Sequence, residues 1–152
     1  MSNSTAVCLS YKAELMQGYH NFGTTVVRAG TGPDTFKAAL FLTTASLSAA
    51  TTVYSASGEV SGTNYAAGGI TVPNTVAPVL SNNTACWTPS ASIVFSNVTI
   101  TSTFDSVLLY NASQQNRAIL VTNFGAVTSV MAGNFTLSFG ANVAGTALLN
   151  FT

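Results

Sequence analysis

The stretch VTITSTFDSVLLYNASQQNRAILVTNF, Val98 to Phe124, decides the fold class. Along an extended chain, Val98 and Ile100 point one way and Thr99 and Thr101 the other. Ser106–Asn111 and Arg117–Phe124 follow as two apolar, β-type runs. Between them, Asn111-Ala112-Ser113-Gln114-Gln115-Asn116 has the composition of a hairpin loop. The alternation returns in Asn134–Phe139, with Phe135, Leu137 and Phe139 on one side and Thr136 and Ser138 on the other. An apolar face opposite a Thr/Ser face is the pattern of antiparallel strands with one solvated side.

Working outward, Ser92–Phe95, Val98–Phe104, Val76–Leu80 and Ala147–Phe151 also read as strands. Upstream, Thr35–Leu42 is a strand with Phe36, Ala38, Leu40 and Leu42 on one face and Lys37, Ala39 and Phe41 on the other. Short strands are expected at Thr24–Arg28 and near Gly69–Val72, with a turn-rich loop over Ala29–Asp34. Ala45–Tyr54 is compatible with a short helical turn. Pro73, Pro78 and Pro89 confine their segments to edges or loops. Strands with turn signals at roughly 8–12-residue spacing point to a mainly β protein, an antiparallel β-sandwich of jelly-roll or immunoglobulin-like type.

One helix is expected, over Leu9–Gly18, with Ser10 as N-cap and Gly18 as the stop. Leu9, Ala13 and Met16 lie near one face, and Leu15 and Tyr19 widen it. So short a helix is marginal alone and must dock, on its own sandwich or on a neighbour. Leu9, Tyr11, Leu15, Met16, Tyr19 and Phe22 are therefore the candidate partner interface. Residues 1–8 are small and polar and read as an arm. Thr52–Val72 holds Gly58, Gly62, Gly68, Gly69, Glu59, Tyr54 and Tyr65. It reads as an irregular crossing between strands, where the glycines supply positive φ or close backbone approach and the tyrosines pin the bend.

A chain of 152 residues fits one domain, residues 1–152. That length buries roughly 68–70% of the unfolded surface, enough for a core without staples. Only 5% of residues are charged and the formal net charge is zero, against about 25% charged residues in an average soluble domain. Little charge repulsion keeps copies apart. Four scattered basic residues make no phosphate-binding patch, so nucleic acid is not an expected partner. No apolar run approaches the roughly 20 residues of a membrane span. The N-terminus lacks the basic and apolar regions of a secretory signal, which points to synthesis in the cytoplasm. Six N-x-[ST] triplets, at Asn3, Asn82, Asn97, Asn111, Asn134 and Asn150, follow from the Asn/Ser/Thr-rich composition.

Catalytic chemistry has few residues to work with. Four acids and one histidine, His20, are present. A Cys8–His20 pair carries no supporting motif. Ser57-Gly58-Glu59 and Ala66-Ala67-Gly68-Gly69 match neither a nucleophile elbow nor a phosphate loop. Glu59 alone is a poor calcium ligand set, and Cys8 and Cys86 have no zinc spacing and read as buried thiols. Trp87 reads as a core or edge plug, with carbohydrate stacking as the alternative. No enzyme, metal or cofactor is expected.

Five segments carry a resemblance: SYKAELMQGYHNF (Ser10–Phe22), TFKAALF (Thr35–Phe41), YSASGEVSGTNYAAGG (Tyr54–Gly69), LYNAS (Leu109–Ser113) and NRAI (Asn116–Ile119). In this order they resemble a family of small tailed-bacteriophage virion proteins. The resemblance covers most of the chain, with residues 23–33 and 81–90 departing from it. It implies a capsid decoration, or cement, protein that binds between major capsid subunits on the virion surface and associates with copies of itself as a dimer or trimer. A tail, neck or fibre-adaptor component and a carbohydrate-binding module for host adsorption are the alternatives.

Overall fold

The structure is a computed structural model, and it describes residues 3–16, 18–23 and 33–152. The expected strand at Thr24–Arg28 and most of the Ala29–Asp34 loop lie outside the described residues. The chain is mainly β, and its described residues form two antiparallel sheets with one short helix. In chain order the elements are β1 (Ala6–Val7), α1 (Leu9–Met16), β2 (Phe36–Leu42), β3 (Ile70–Thr71), β4 (Val79–Ser81), β5 (Thr84–Trp87), β6 (Ile93–Asn111), β7 (Arg117–Leu137) and β8 (Leu149–Phe151). The larger sheet has the order β1-β7-β6-β2-β3, the smaller β4-β5-β8.

The β6–β7 hairpin is the spine. Asn111 pairs with Arg117 at its closed end and Ile93 with Leu137 at its open end. The loop turns through Gln115 and Asn116, both at positive φ. The expected separate strands are joined into two long ones, of 19 and 21 residues. Bulges make this possible, because they absorb extra residues without ending the ladder. Thr101–Thr103 of β6 lie opposite the single residue Ser129, and Phe124–Val127 of β7 lie opposite the single residue Asp105. The segment Gly125–Gly133, which lies between the expected strands Arg117–Phe124 and Asn134–Phe139, therefore runs as strand as well.

Each half of the hairpin packs differently. The half near the loop is covered on both faces. There Leu108, Ile119 and Val121 are fully buried, and β2 pairs alongside from Phe36↔Asn111 to Leu42↔Phe104. Trp87 of the smaller sheet sits against Phe22 and Phe36, with ring centroids 4.6 and 5.8 Å away, and this aromatic contact joins the sheets. The open half carries its own cluster of rings. Phe95 pairs directly with Phe135 across the ladder, Tyr65 stacks on Phe95 at 5.8 Å, and Phe104 meets Phe135 edge-on at 5.1 Å. Such pairs contribute about 0.5–1.5 kcal/mol beyond area burial.

The N-terminus differs from the sequence reading. Residues 3–8 are an edge strand and its approach rather than an arm. Ala6 and Val7 pair with Val121 and Leu120, and buried Asn3 donates to the Leu42 carbonyl and, at 2.7 Å, to Asp105. The helix begins at Leu9, so Ser10 lies in its first turn and is not the cap. Its stop is as expected. The Gly18 amide donates to the Leu15 carbonyl and the Tyr19 amide to the Glu14 carbonyl, the paired bonds of a Schellman turn. Ala45–Tyr54 contains turns but no helix.

The glycine-rich crossing seals one side of the larger sheet. Gly58–Val60 runs beside β2, with Leu42 donating to Gly58 and Val60 to Leu40. The chain then bridges Thr63 to Thr99, in a part of β6 that β2 does not pair with. It returns as β3 beside Lys37 and Ala38. Two glycines allow this approach. A Cβ at Gly62 would lie 2.1 Å from the Thr99 carbonyl oxygen, and one at Gly69 would lie 1.9 Å from that of Ala38.

Candidate interaction surface

The helix face expected to meet a partner is mostly turned inward. Tyr11 and Phe22 are buried, and Leu15 is half-buried beside them. Tyr19 is half-buried with the Arg117 guanidinium 4.2 Å over its ring. The side chain of Met16 lies outside the described residues. Leu9 alone of these is shown exposed, at 62%. The helix covers this chain's own core, because Tyr11 packs between His20, Phe22 and Phe151.

Two polar clusters hold the fold where the irregular segments meet the spine. In the first, Glu14 accepts from Arg117 at 2.7 Å and from His20 Nε2 at 2.8 Å. His20 Nδ1 accepts from Asn111 at 3.1 Å, and Asn111 also donates to Asp34 at 2.8 Å. Both ring nitrogens of His20 are thus committed, which fits the neutral ring protonated on Nε2. Burial lowers the His20 pKa below the usual imidazole value, against the upward pull of Glu14. With no free nitrogen and no exposed face, His20 is not placed to take a proton from a substrate. Burial, aided by Glu14, pushes the Cys8 thiol up to about 12, so it stays protonated and unreactive.

In the second cluster, Glu59 accepts from Tyr54 at 2.6 Å, from Tyr65 at 2.8 Å and from the Gly68 amide at 2.8 Å. Tyr65 in turn accepts from the Leu40 amide, and Tyr110 donates to the Gly68 carbonyl. Burial foremost, and the Glu59 carboxylate with it, raises the pKa of Tyr54, Tyr65 and Tyr110 above the ordinary tyrosine value. The expected pinning of the bend by Tyr54 and Tyr65 is present, and Glu59 is the hub through which it works. The sequence segments that carry the family resemblance supply both clusters apart from Asp34: Glu14 and His20, Leu40, Tyr54 to Gly69, Tyr110 and Asn111, and Arg117. These motifs hold the fold.

Trp87 is also structural. It is 2% exposed and its indole donates to the Val76 carbonyl at 3.0 Å, so no ring face is free to stack on a sugar. Among the described residues no group of three or more His, Cys, Asp or Glu is placed to hold a metal ion. No described helix is long and apolar enough to cross a membrane.

One open, uncharged surface lies at the far half of the hairpin. Between Glu59 and Arg117 the sequence has one charged residue, Asp105, and after Arg117 it has none. Asp105 is buried and accepts from Asn3 and Ser106, each at 2.7 Å. The outer half of β6 and β7 therefore presents a surface without charge. On it Val127 and Met131 are 63% and 72% exposed. A groove of about 630 Å³ runs from the near half of the hairpin to its open end, lined among others by Val107, Leu120, Phe124, Phe135, Leu137 and Leu148. The charge-free run was visible in the sequence as composition. Its concentration on one end of the molecule was not.

No family model, curated protein or solved structure matches the chain.

Proposed function

We propose that this chain is a non-enzymatic structural protein of a tailed-phage virion, a capsid decoration protein that binds between major capsid subunits and stabilises the head. The observation that carries the reading is the segregation of charge. The charged side chains described here are largely drawn into clusters that lock the fold, and the outer half of the β6–β7 hairpin is left neutral, Ser/Thr/Asn-rich and apolar in places. Such a surface loses little on desolvation against another neutral protein face, since no charge has to be taken out of water. The resemblance of the five motif segments to small virion proteins adds to this. The mechanism is mechanical: many copies bury area at subunit junctions and raise the cost of separating them.

Quantitative mass spectrometry of purified virions tests the reading. A decoration protein is present at a stoichiometry comparable to the major capsid protein and is released or rebound as a shell component. A copy number far below that overturns the decoration role and places the chain in the tail or neck.

A further inference from the structure

We propose that His20 is an acid-sensitive latch: by taking up one proton it frees the end of α1 and the tail Tyr19–Gly23 from the β6–β7 loop, while the two sheets stay paired. The inference stands on the geometry of the His20 cluster and not on the virion reading.

The N-terminal segment is anchored unevenly. At its start, the Cys8 amide donates to the Ile119 carbonyl and the Leu9 amide to that of Ala49. From Ser10 to Gly23, among the described residues, every hydrogen bond to another element runs through a side chain. Glu14 accepts from Arg117, and the Asn111 side chain reaches the Tyr19 carbonyl, His20 and Asp34. The Asn21 amide donates to the Asp34 carboxylate and the Gly23 amide to the Asn74 side chain. His20 stands at the centre of this seam with its side chain fully buried.

The Asn111 amide is fixed in orientation. Its oxygen accepts from the Ser113 amide at 3.1 Å and its NH2 donates to Asp34 at 2.8 Å. The NH2 therefore faces His20 Nδ1, 3.1 Å away. Nε2 already donates to Glu14 at 2.8 Å, so a new proton can go only to Nδ1. There it would meet the Asn111 NH2, donor against donor. Turning the amide over would relieve His20, but it would take a donor from Asp34 and set the NH2 against the Ser113 amide. Either way the link between tail and loop is lost.

The charges around the ring do not themselves forbid the proton. Glu14 on α1 and Asp34 ahead of β2 favour it, and Arg117 at the start of β7 opposes it. Tyr11, edge-on at 4.8 Å, is neutral, since burial raises its pKa. Burial is what keeps the closed ring neutral and holds its pKa below the usual value. An opened tail puts the imidazole in water, where it titrates at about 6.5. The open form thus binds the proton first, and opening is favoured as pH falls below about 6.5, by at most about tenfold per pH unit for one proton. Phe22 still packs on Phe36 and Trp87, so the open form is a minor state at neutral pH that acid enriches. His20 is the one histidine of the chain, and histidine is the side chain whose ordinary pKa lies in this window.

The test is hydrogen exchange of the full chain, read by mass spectrometry from about pH 7.5 to about pH 5 and corrected for the intrinsic pH dependence of exchange. Peptides covering Ser10–Gly23 and Asn111–Arg117 are expected to open more as pH falls below about 6.5, by up to about tenfold per pH unit. Ile93–Phe104 is expected to stay protected. In His20→Gln the pH dependence is expected to vanish. Nuclear magnetic resonance titration of the single imidazole in the unaltered protein needs no variant, and its midpoint is expected below about 6.5. Exchange of the two peptides that does not change with pH, a rise equally large in Ile93–Phe104, a rise that persists in His20→Gln, or an imidazole that titrates at or above about 6.5 would each overturn the proposal.

Discussion

Replacing Glu59 by alanine tests whether one carboxylate holds the glycine-rich crossing in place. The substitution removes an acceptor from three donors: the Tyr54 hydroxyl, the Tyr65 hydroxyl and the Gly68 amide. Hydrogen bonds to a charged group contribute about 1.5–3 kcal/mol each when buried. Glu59, Tyr54 and Tyr65 are half-buried, so water can take over part of the role. Discounting each bond to about 1 kcal/mol gives a loss of about 3 kcal/mol. For a chain of this size that corresponds to a fall of about 6–12 °C in the melting temperature. The assay is urea unfolding of both proteins followed by circular dichroism, with the midpoint and slope read separately. Tyr65→Phe, alone and combined with Glu59→Ala, completes a double-mutant cycle, and the two losses are expected to be less than additive because both remove the same bond. A loss under about 0.5 kcal/mol for Glu59→Ala, the size of an ordinary surface change, would refute the reasoning. The crossing would then be held by its backbone bonds to β2 and β6 alone.

Gly69→Ala is expected to abolish the fold or cost on the order of 3 kcal/mol or more, since it combines a left-handed residue (φ 70) with a Cβ 1.9 Å from a backbone oxygen; soluble yield and melting temperature read it. Deleting residues 1–18 is expected to give an unfolded chain. It removes β1, the buried Tyr11 and the Glu14 partner of Arg117 and His20, and a folded truncated protein by circular dichroism would mean that the helix is an appendage after all. His20 has a lowered pKa in the folded protein, so the unfolded chain binds the extra proton first, and stability falls as pH drops below about 6.5. Melting temperatures between pH 7.5 and 5 are expected to show this fall, and His20→Gln to flatten it. The raised tyrosines act at the other end: unfolded tyrosines ionise near pH 10 while Tyr54, Tyr65 and Tyr110 keep their protons, so stability falls as pH rises above about 10. Absorbance titration of the native protein is expected to find these phenols protonated there.

The β class, the hairpin loop at Asn111–Asn116, the strand Phe36–Leu42 and the end of the helix at Gly18 follow from local sequence, because alternation, turn residues and capping act over a few neighbours. Segments without a local signal were settled only by pairing at a distance. Gly125–Gly133 lies outside every expected strand and becomes part of β7 because bulges let it follow β6. Asn3–Val7 looks like an arm and becomes an edge because Val121 and Leu120 offer it a ladder. Thr84–Trp87, in a stretch that departs from the motif pattern, becomes the centre of the smaller sheet. The same division holds for surface and site. The sequence determined that charge is scarce and that Glu59 and His20 are isolated acids and bases. Only the tertiary structure gathered those charges into the interior clusters, turned the helix face onto its own core, and left the outer half of the β6–β7 hairpin uncharged. Composition fixes how much charge a chain has, and long-range packing decides which of it water still sees.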